Sequence, residues 1–184
     1  LPRSHVVVTA PRLGGGFGGK ETQTNPFAAM AALAAFHTGR PSRLVLPRAV
    51  DVQLTGKRHP FRADFEVGFD EDGRLRALRV ALTSNGGFSL DLSGAILERA
   101  LLHLDNAYYV PALAYEGRIA RTHLASSTAF RGFGGPQGVF VIEEVLERVA
   151  ESLGLDPADV RTRNLYRGEG DEQLTHYDEP VEAE

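Results

Sequence analysis

Five glycines fall within the six residues Gly14–Gly19, and Lys20 and Glu21 follow directly. Glycine turns tightly and lets main-chain N–H groups approach a ligand closely. The tetrapeptide GFGG occurs twice, at 16–19 and at 132–135, with Arg131 at the edge of the second copy. Two such loops aimed at one point would hold a polyanionic ligand from two sides, and Arg131 would pair with phosphate or an oxo group. The same glycines also serve simple tight turns, and residue types alone leave both readings open.

Two nucleotide-binding patterns fit the first loop poorly. Gly14, Gly16 and Gly19 satisfy G-x-G-x-x-G. However, Pro11 and Arg12 precede the loop, and no acidic residue ends the following apolar run as a ribose-binding site requires. Gly14, Gly19 and Lys20 match G-x-x-x-x-G-K, but Glu21 stands where a magnesium-binding hydroxyl is needed. A carboxylate there would repel phosphate.

The elements around the loops read as an α+β fold with mixed strands and helices. His5–Ala10 and residues 43–46 have the composition of strands. Asn25 and Pro26 mark a helix start, as N-cap and first helical residue, and the alanine-rich helix closes near Gly39. From Phe61 to Phe69 apolar residues alternate, residues 70–73 form a turn, and a second strand returns with a change of parity near Ala77 that signals a bulge. Residues 94–106 read as a helix with Ile96, Leu97, Ala100, Leu101 and Leu104 inward. A strand near 115–124, a helix ending near Gly154 and a short helix from Asp156 complete the pattern. His59 has no evident acidic partner and reads as a structural histidine.

The 184 residues carry a net charge of -4, with 42% hydrophobic and 24% charged residues. That balance suits a globular domain and lacks the basic footprint of a nucleic-acid binder. There is no cysteine. Disulfides and thiolate chemistry are thereby excluded, and a cytoplasmic setting is expected. No apolar run has membrane-spanning length, so no membrane partner is expected. The opening at Leu1 and the acidic close suggest a piece of a larger protein, with residues 1–170 as a partial domain and 171–184 as a loose acidic tail.

Four motifs then carry a specific likeness. GGGFGGKET, GKRHPF, ERALLHLDNAYYVP and SSTAFRGFGGPQG occur in this order, followed by VRTRNLY. Together they closely resemble the molybdenum-binding part of the xanthine dehydrogenase family, within the xanthine oxidase/aldehyde oxidase molybdenum hydroxylases. The resemblance implies a molybdenum–molybdopterin cofactor held at Gly16, Phe17, Gly18 and Arg131, with the main chain of Phe17 and Arg131 beside the metal rather than side-chain ligands. It implies that Glu21 and Arg99 act on the substrate catalytically and that Phe133 packs on its ring. It further implies hydroxylation of hypoxanthine or xanthine to urate with oxygen from water. Aldehyde oxidation, or a non-catalytic binding or assembly role, stand as alternatives. FAD and [2Fe-2S] clusters would lie on iron–sulfur and flavin modules beyond this stretch, together with the rest of the molybdenum-binding subunit. The family's catalytic glutamate has no counterpart here, so the chain is expected to form one wall of a site and to be inactive alone. Each residue also has a plain structural role open to it: Arg99 as an exposed helix arginine, Glu21 as a helix N-terminal carboxylate, Phe133 as core.

Overall fold

The computed structural model describes residues 2–167 and 174–181. Its centre is an antiparallel hairpin of β1 (Phe61–Phe69) and β2 (Leu75–Gly87). Asp70 shapes the turn, because its Oδ1 accepts the N–H groups of Asp72 at 3.1 Å and Arg74 at 2.9 Å. Gly68 pairs with Ala77 and Phe69 with Leu75, leaving Arg76 as the extra residue of a bulge. The bulge switches the inward parity from Leu75 to Leu78, Val80 and Leu82, as the sequence pattern requires.

β3 (Leu113–Arg121) joins the other side of β2 in parallel, giving the order β1-β2-β3. The parallel step needs a crossover, supplied by α3 (Ser93–Leu102). α4 (Gly135–Leu153) packs on α3 and on the hairpin. Val141, Ile142, Val145, Leu146 and Val149 of α4 are buried at helical spacing against Leu97, Ala100 and Leu104. α5 (Pro157–Asn164) starts at Asp156, whose side chain caps Ala158 N–H at 2.7 Å, and packs on α4.

Two earlier helices lie outside this core. α1 (Asn25–Thr38) begins after Thr24, one residue before the expected cap, and ends at Gly39. It buries no residue; Met30, Leu33 and Phe36 are exposed. α2 (Arg48–Leu54) was not foreseen, and it follows Pro47. The strands expected at His5–Ala10 and 43–46 do not form. Val7 and Val8 are each 87% exposed, with no neighbouring strand to pair their backbone groups.

The motifs LDNAYYV and RNLY meet in space. Tyr109 N–H donates to Asn164 O at 2.8 Å, and Tyr166 N–H donates to Ala107 O at 3.1 Å. Buried Asn164 accepts Leu75 N–H and donates to Gly73 O and Val160 O, each at 2.8 Å. Glu143 of α4 accepts from Tyr108 OH at 2.7 Å and pairs with Arg161 at 2.7 Å. Burial and the bond to Glu143 push the Tyr108 phenol up to about 12.

Within the expected tail, residues 171–173 and 182–184 lie outside the described residues. Leu174–Val181 forms a turn closed by the Thr175 N–H to Glu179 O bond at 2.8 Å. It is anchored by His176, whose side chain is 5% exposed and whose Nδ1 lies 3.0 Å from Asp105 Oδ2. Tyr166 OH donates to the same oxygen at 2.7 Å.

Two predictions follow from these buried groups. Asn164→Leu leaves Leu75 N–H without its acceptor and removes two further bonds, so unfolding in urea should show a loss of about 2–4 kcal/mol. Burial by itself would raise the Asp105 and Glu143 carboxyls, but their partners outweigh it and hold both below the usual range. A depressed carboxyl stabilises the fold above its unfolded pKa of about 4, and that stability goes as pH falls through the folded value. Melting temperature from pH 7 to pH 2 should therefore fall less steeply below about pH 4 in Asp105→Asn and Glu143→Gln than in the parent.

Candidate functional site

The Phe-Gly pair at the centre of each GFGG copy adopts the same backbone, while the first glycines differ: Gly132 has φ of 100° and Gly16 is not left-handed. Phe17 and Gly18 have φ of 51° and 96°; Phe133 and Gly134 have 50° and 96°. A left-handed phenylalanine is uncommon and persists only where its surroundings enforce it. The sequence echo is thus a repeated turn, and the repeat places its aromatic residues differently. Phe17 is 71% exposed, whereas Phe133 is half-buried.

The loops touch through their main chains. Arg131 N–H donates to Phe17 O at 2.9 Å. A Cβ on Gly18 would stand 2.5 Å from the Ala129 carbonyl, and one on Gly134 would collide with the Ile96 carbonyl of α3. Loop one therefore rests on loop two, and loop two rests on α3. Arg58 fastens the joint: its Nη2 donates to Arg131 O at 2.8 Å, and its guanidinium lies over the Phe130 ring at 5.0 Å. Both the N–H and the carbonyl of Arg131 are consequently occupied. The Arg131 guanidinium is exposed beside this joint.

Loop one presents an open side. No main-chain N–H from Gly14 to Glu21 makes a well-formed hydrogen bond among the described residues. A Cβ on Gly14, Gly16 or Gly19 would meet nothing within 4 Å. Beside it lies a cleft of about 520 Å³ lined by Lys20, Arg48, Asp51, Lys57, Gly16 and Phe130, among others. Main-chain N–H groups on an open face, with three cations against the one carboxylate of Asp51 nearby, suit an anionic ligand. No group of three or more His, Asp or Glu side chains gathers among the described residues.

Glu21 is exposed at the exit of loop one, and Arg99 is exposed on α3. No hydrogen bond or ion pair joins them among the described residues. Arg99 O instead lies 2.9 Å from His103 Nδ1. What ties their two segments together is Asp91, which the sequence reading missed. Its Oδ1 accepts from Thr22 Oγ1 at 2.7 Å and its Oδ2 from Gln23 Nε2 at 2.9 Å. His59 is structural as expected: it is buried, and its Nε2 lies 2.7 Å from Ser93 Oγ at the start of α3. Burial lowers its pKa, and Asp91 acts in the opposite direction.

The fold and its two glycine loops, joined through their main chains, define the class of domain. Residues 1–165 match the molybdopterin cofactor-binding domain, and the chain belongs to that family. It is 50% identical over 183 residues to a xanthine dehydrogenase/oxidase of Mus musculus, covering 100% of this chain and 14% of that protein. The aldehyde oxidoreductase from Desulfovibrio gigas superposes with a TM-score of 0.74 at 32% identity, over 88% of this chain and 18% of that one. Quinoline 2-oxidoreductase from Pseudomonas putida 86 gives 0.73 at 27% identity, over 94% and 22%. The α+β class is that of these neighbours.

The two loops differ in what a methyl group would do. Gly18→Ala should separate them, with strain at φ 96° and a clash at the Ala129 carbonyl. It should lower the melting temperature and abolish pterin retention in the full-length protein. Gly19→Ala, with open space and no left-handed φ, should leave the melting temperature within about 2 °C, as for other surface substitutions of small effect.

Proposed function

We propose that the chain is one wall of the active site of a molybdenum hydroxylase that oxidises purines such as hypoxanthine and xanthine to urate, with oxygen from water. The observation that carries this reading is the pair of joined glycine loops with the N–H groups of one left open. The similarity to relatives named xanthine dehydrogenase gives it a substrate class.

Gly16, Phe17 and Gly18 would hold the pterin cofactor, with the Arg131 guanidinium supplying positive charge. When bound, molybdenum–molybdopterin supplies the two-electron redox chemistry. This chain's residues handle the heterocycle. Glu21 hydrogen-bonds ring nitrogens and favours a reactive tautomer. Arg99 stabilises the negative charge that builds at the far end of the ring during attack on an electron-poor carbon. Phe133 aligns the ring plane by aromatic packing. A carboxylate and a guanidinium together suit a purine, which offers donors and acceptors, better than an aldehyde.

The remaining parts lie elsewhere. The chain spans 14% of the length of the mouse relative it matches. The catalytic base, the FAD and the [2Fe-2S] clusters would sit on other parts of that larger protein, in the cytoplasm. The bare apolar faces of α1 and of Val6–Val8 support this, since exposed patches of that kind mark contact surfaces.

The test is turnover by the full-length protein with hypoxanthine, xanthine and a panel of aldehydes. Urate formation is expected, and Glu21→Ala or Arg99→Met should lower purine kcat/KM about 10²- to 10³-fold, the scale of losing one charge-stabilising donor. The isolated chain supplied with cofactor should form no urate. Aldehyde turnover without purine turnover would overturn the substrate; steady urate production by the isolated chain would overturn its role as a partial wall.

A further inference from the structure

We propose that Asp91 is a positioning residue: its carboxylate closes a ring of contacts that fixes Glu21 relative to Arg99, and so sets which heterocycles the site accepts. This rests on the roles given to Glu21 and Arg99 above. The ring has three joints. α3 meets loop two at Gly134, where the Ile96 carbonyl leaves no room for a side chain. Loop two meets loop one through the Arg131 N–H to Phe17 O bond and the Gly18 approach to Ala129. The end of loop one returns to the entrance of α3 at Asp91.

The first two joints involve main chain directly. The third is made by side chains, and it is nearest the residues in question. Thr22 follows Glu21 directly, and Asp91 leads into α3, which carries Arg99. Both carboxylate oxygens are used, one for Thr22 and one for Gln23. Gln23 extends the joint, since its Oε1 accepts Gly56 N–H at 2.7 Å. A parallel strut runs from His59 to Ser93, so the start of α3 is fixed from two sides. Asp91 achieves this with a φ of 42°, a conformation that Asp and Asn tolerate better than other side chains.

A purine gripped at opposite ends requires a set distance between carboxylate and guanidinium. An aldehyde makes no such demand. Loosening the third joint should therefore penalise purines selectively, because small misplacements of positioning groups cost rate steeply.

The test uses the full-length protein, with Asp91→Ala, Asp91→Asn, and Asp91→Ala combined with Glu21→Gln. Asp91→Ala should lower purine kcat/KM about 10- to 100-fold, while aldehyde kcat/KM stays within about threefold and molybdenum and pterin content is unchanged. Asparagine keeps the backbone preference and one acceptor, so it should fall between the two. In the Glu21→Gln background the Asp91→Ala loss should shrink to under about threefold, as expected for coupled residues. Hydrogen exchange should quicken at residues 20–24 and 55–57 and stay unchanged in β1 and β2. Equal losses on purine and aldehyde, additive losses in the double variant, loss of cofactor, or unchanged exchange at those segments would overturn the proposal. A parent protein with no purine turnover would instead overturn the substrate reading, and the exchange experiment would still judge the ring.

Discussion

Everything at the site depends on two stretches of main chain approaching more closely than any side chain allows. At Gly18 the first loop lies against the Ala129 carbonyl, and at Gly134 the second lies against α3. A hydrogen bond between Arg131 and Phe17 then locks the loops in register. The need for glycine here is steric, because backbone occupies the space that a Cβ would fill. It is also conformational, because both positions are left-handed. Gly14, Gly16 and Gly19 meet neither demand, and their bare side is what a ligand can reach.

The rest of the fold supplies the platform. The hairpin and α4 form the core, with α3 as the plate between core and site. Gly138 of α4 faces the Ala100 carbonyl so closely that a side chain would collide, which brings α4 hard against α3. The loop that leads into α4 is thereby carried to α3 with it. A site built mainly on main chain gains precision from this arrangement, since its parts cannot change rotamer.

What was legible in the sequence was local. The hairpin, its bulge near Ala77 and the end of α4 near Gly154 followed from local pattern, because each element buries one face against this same chain; α4 starts at Gly135, inside the second glycine loop, earlier than its apolar periodicity marks. The segments His5–Ala10 and 43–46 have strand composition, but a strand requires a partner, and the described residues provide none. The repeated tetrapeptide disclosed two equivalent turns, yet not that they touch. Asp91, Arg58 and Asn164 were invisible for a different reason. Their partners lie 69, 73 and 89 residues away, and nothing in a local window marks an aspartate, an arginine or an asparagine as a clamp.

The motifs of the family likeness divide accordingly. ERALLHLDNAYYVP and VRTRNLY contain Asp105, Tyr108, Asn164 and Tyr166: Tyr166 donates to Asp105, Tyr108 to Glu143 of α4, and Asn164 accepts from Leu75 of β2. Their kinship marks the fold more than the chemistry. GGGFGGKET and SSTAFRGFGGPQG carry the open main chain and the exposed Glu21 and Arg131. Arg99 belongs to the first group by sequence and to the second by exposure, and α3 reconciles the two. Its inner face, Ile96, Leu97 and Ala100, anchors it to the core, and that burial is what gives an exposed arginine a fixed address.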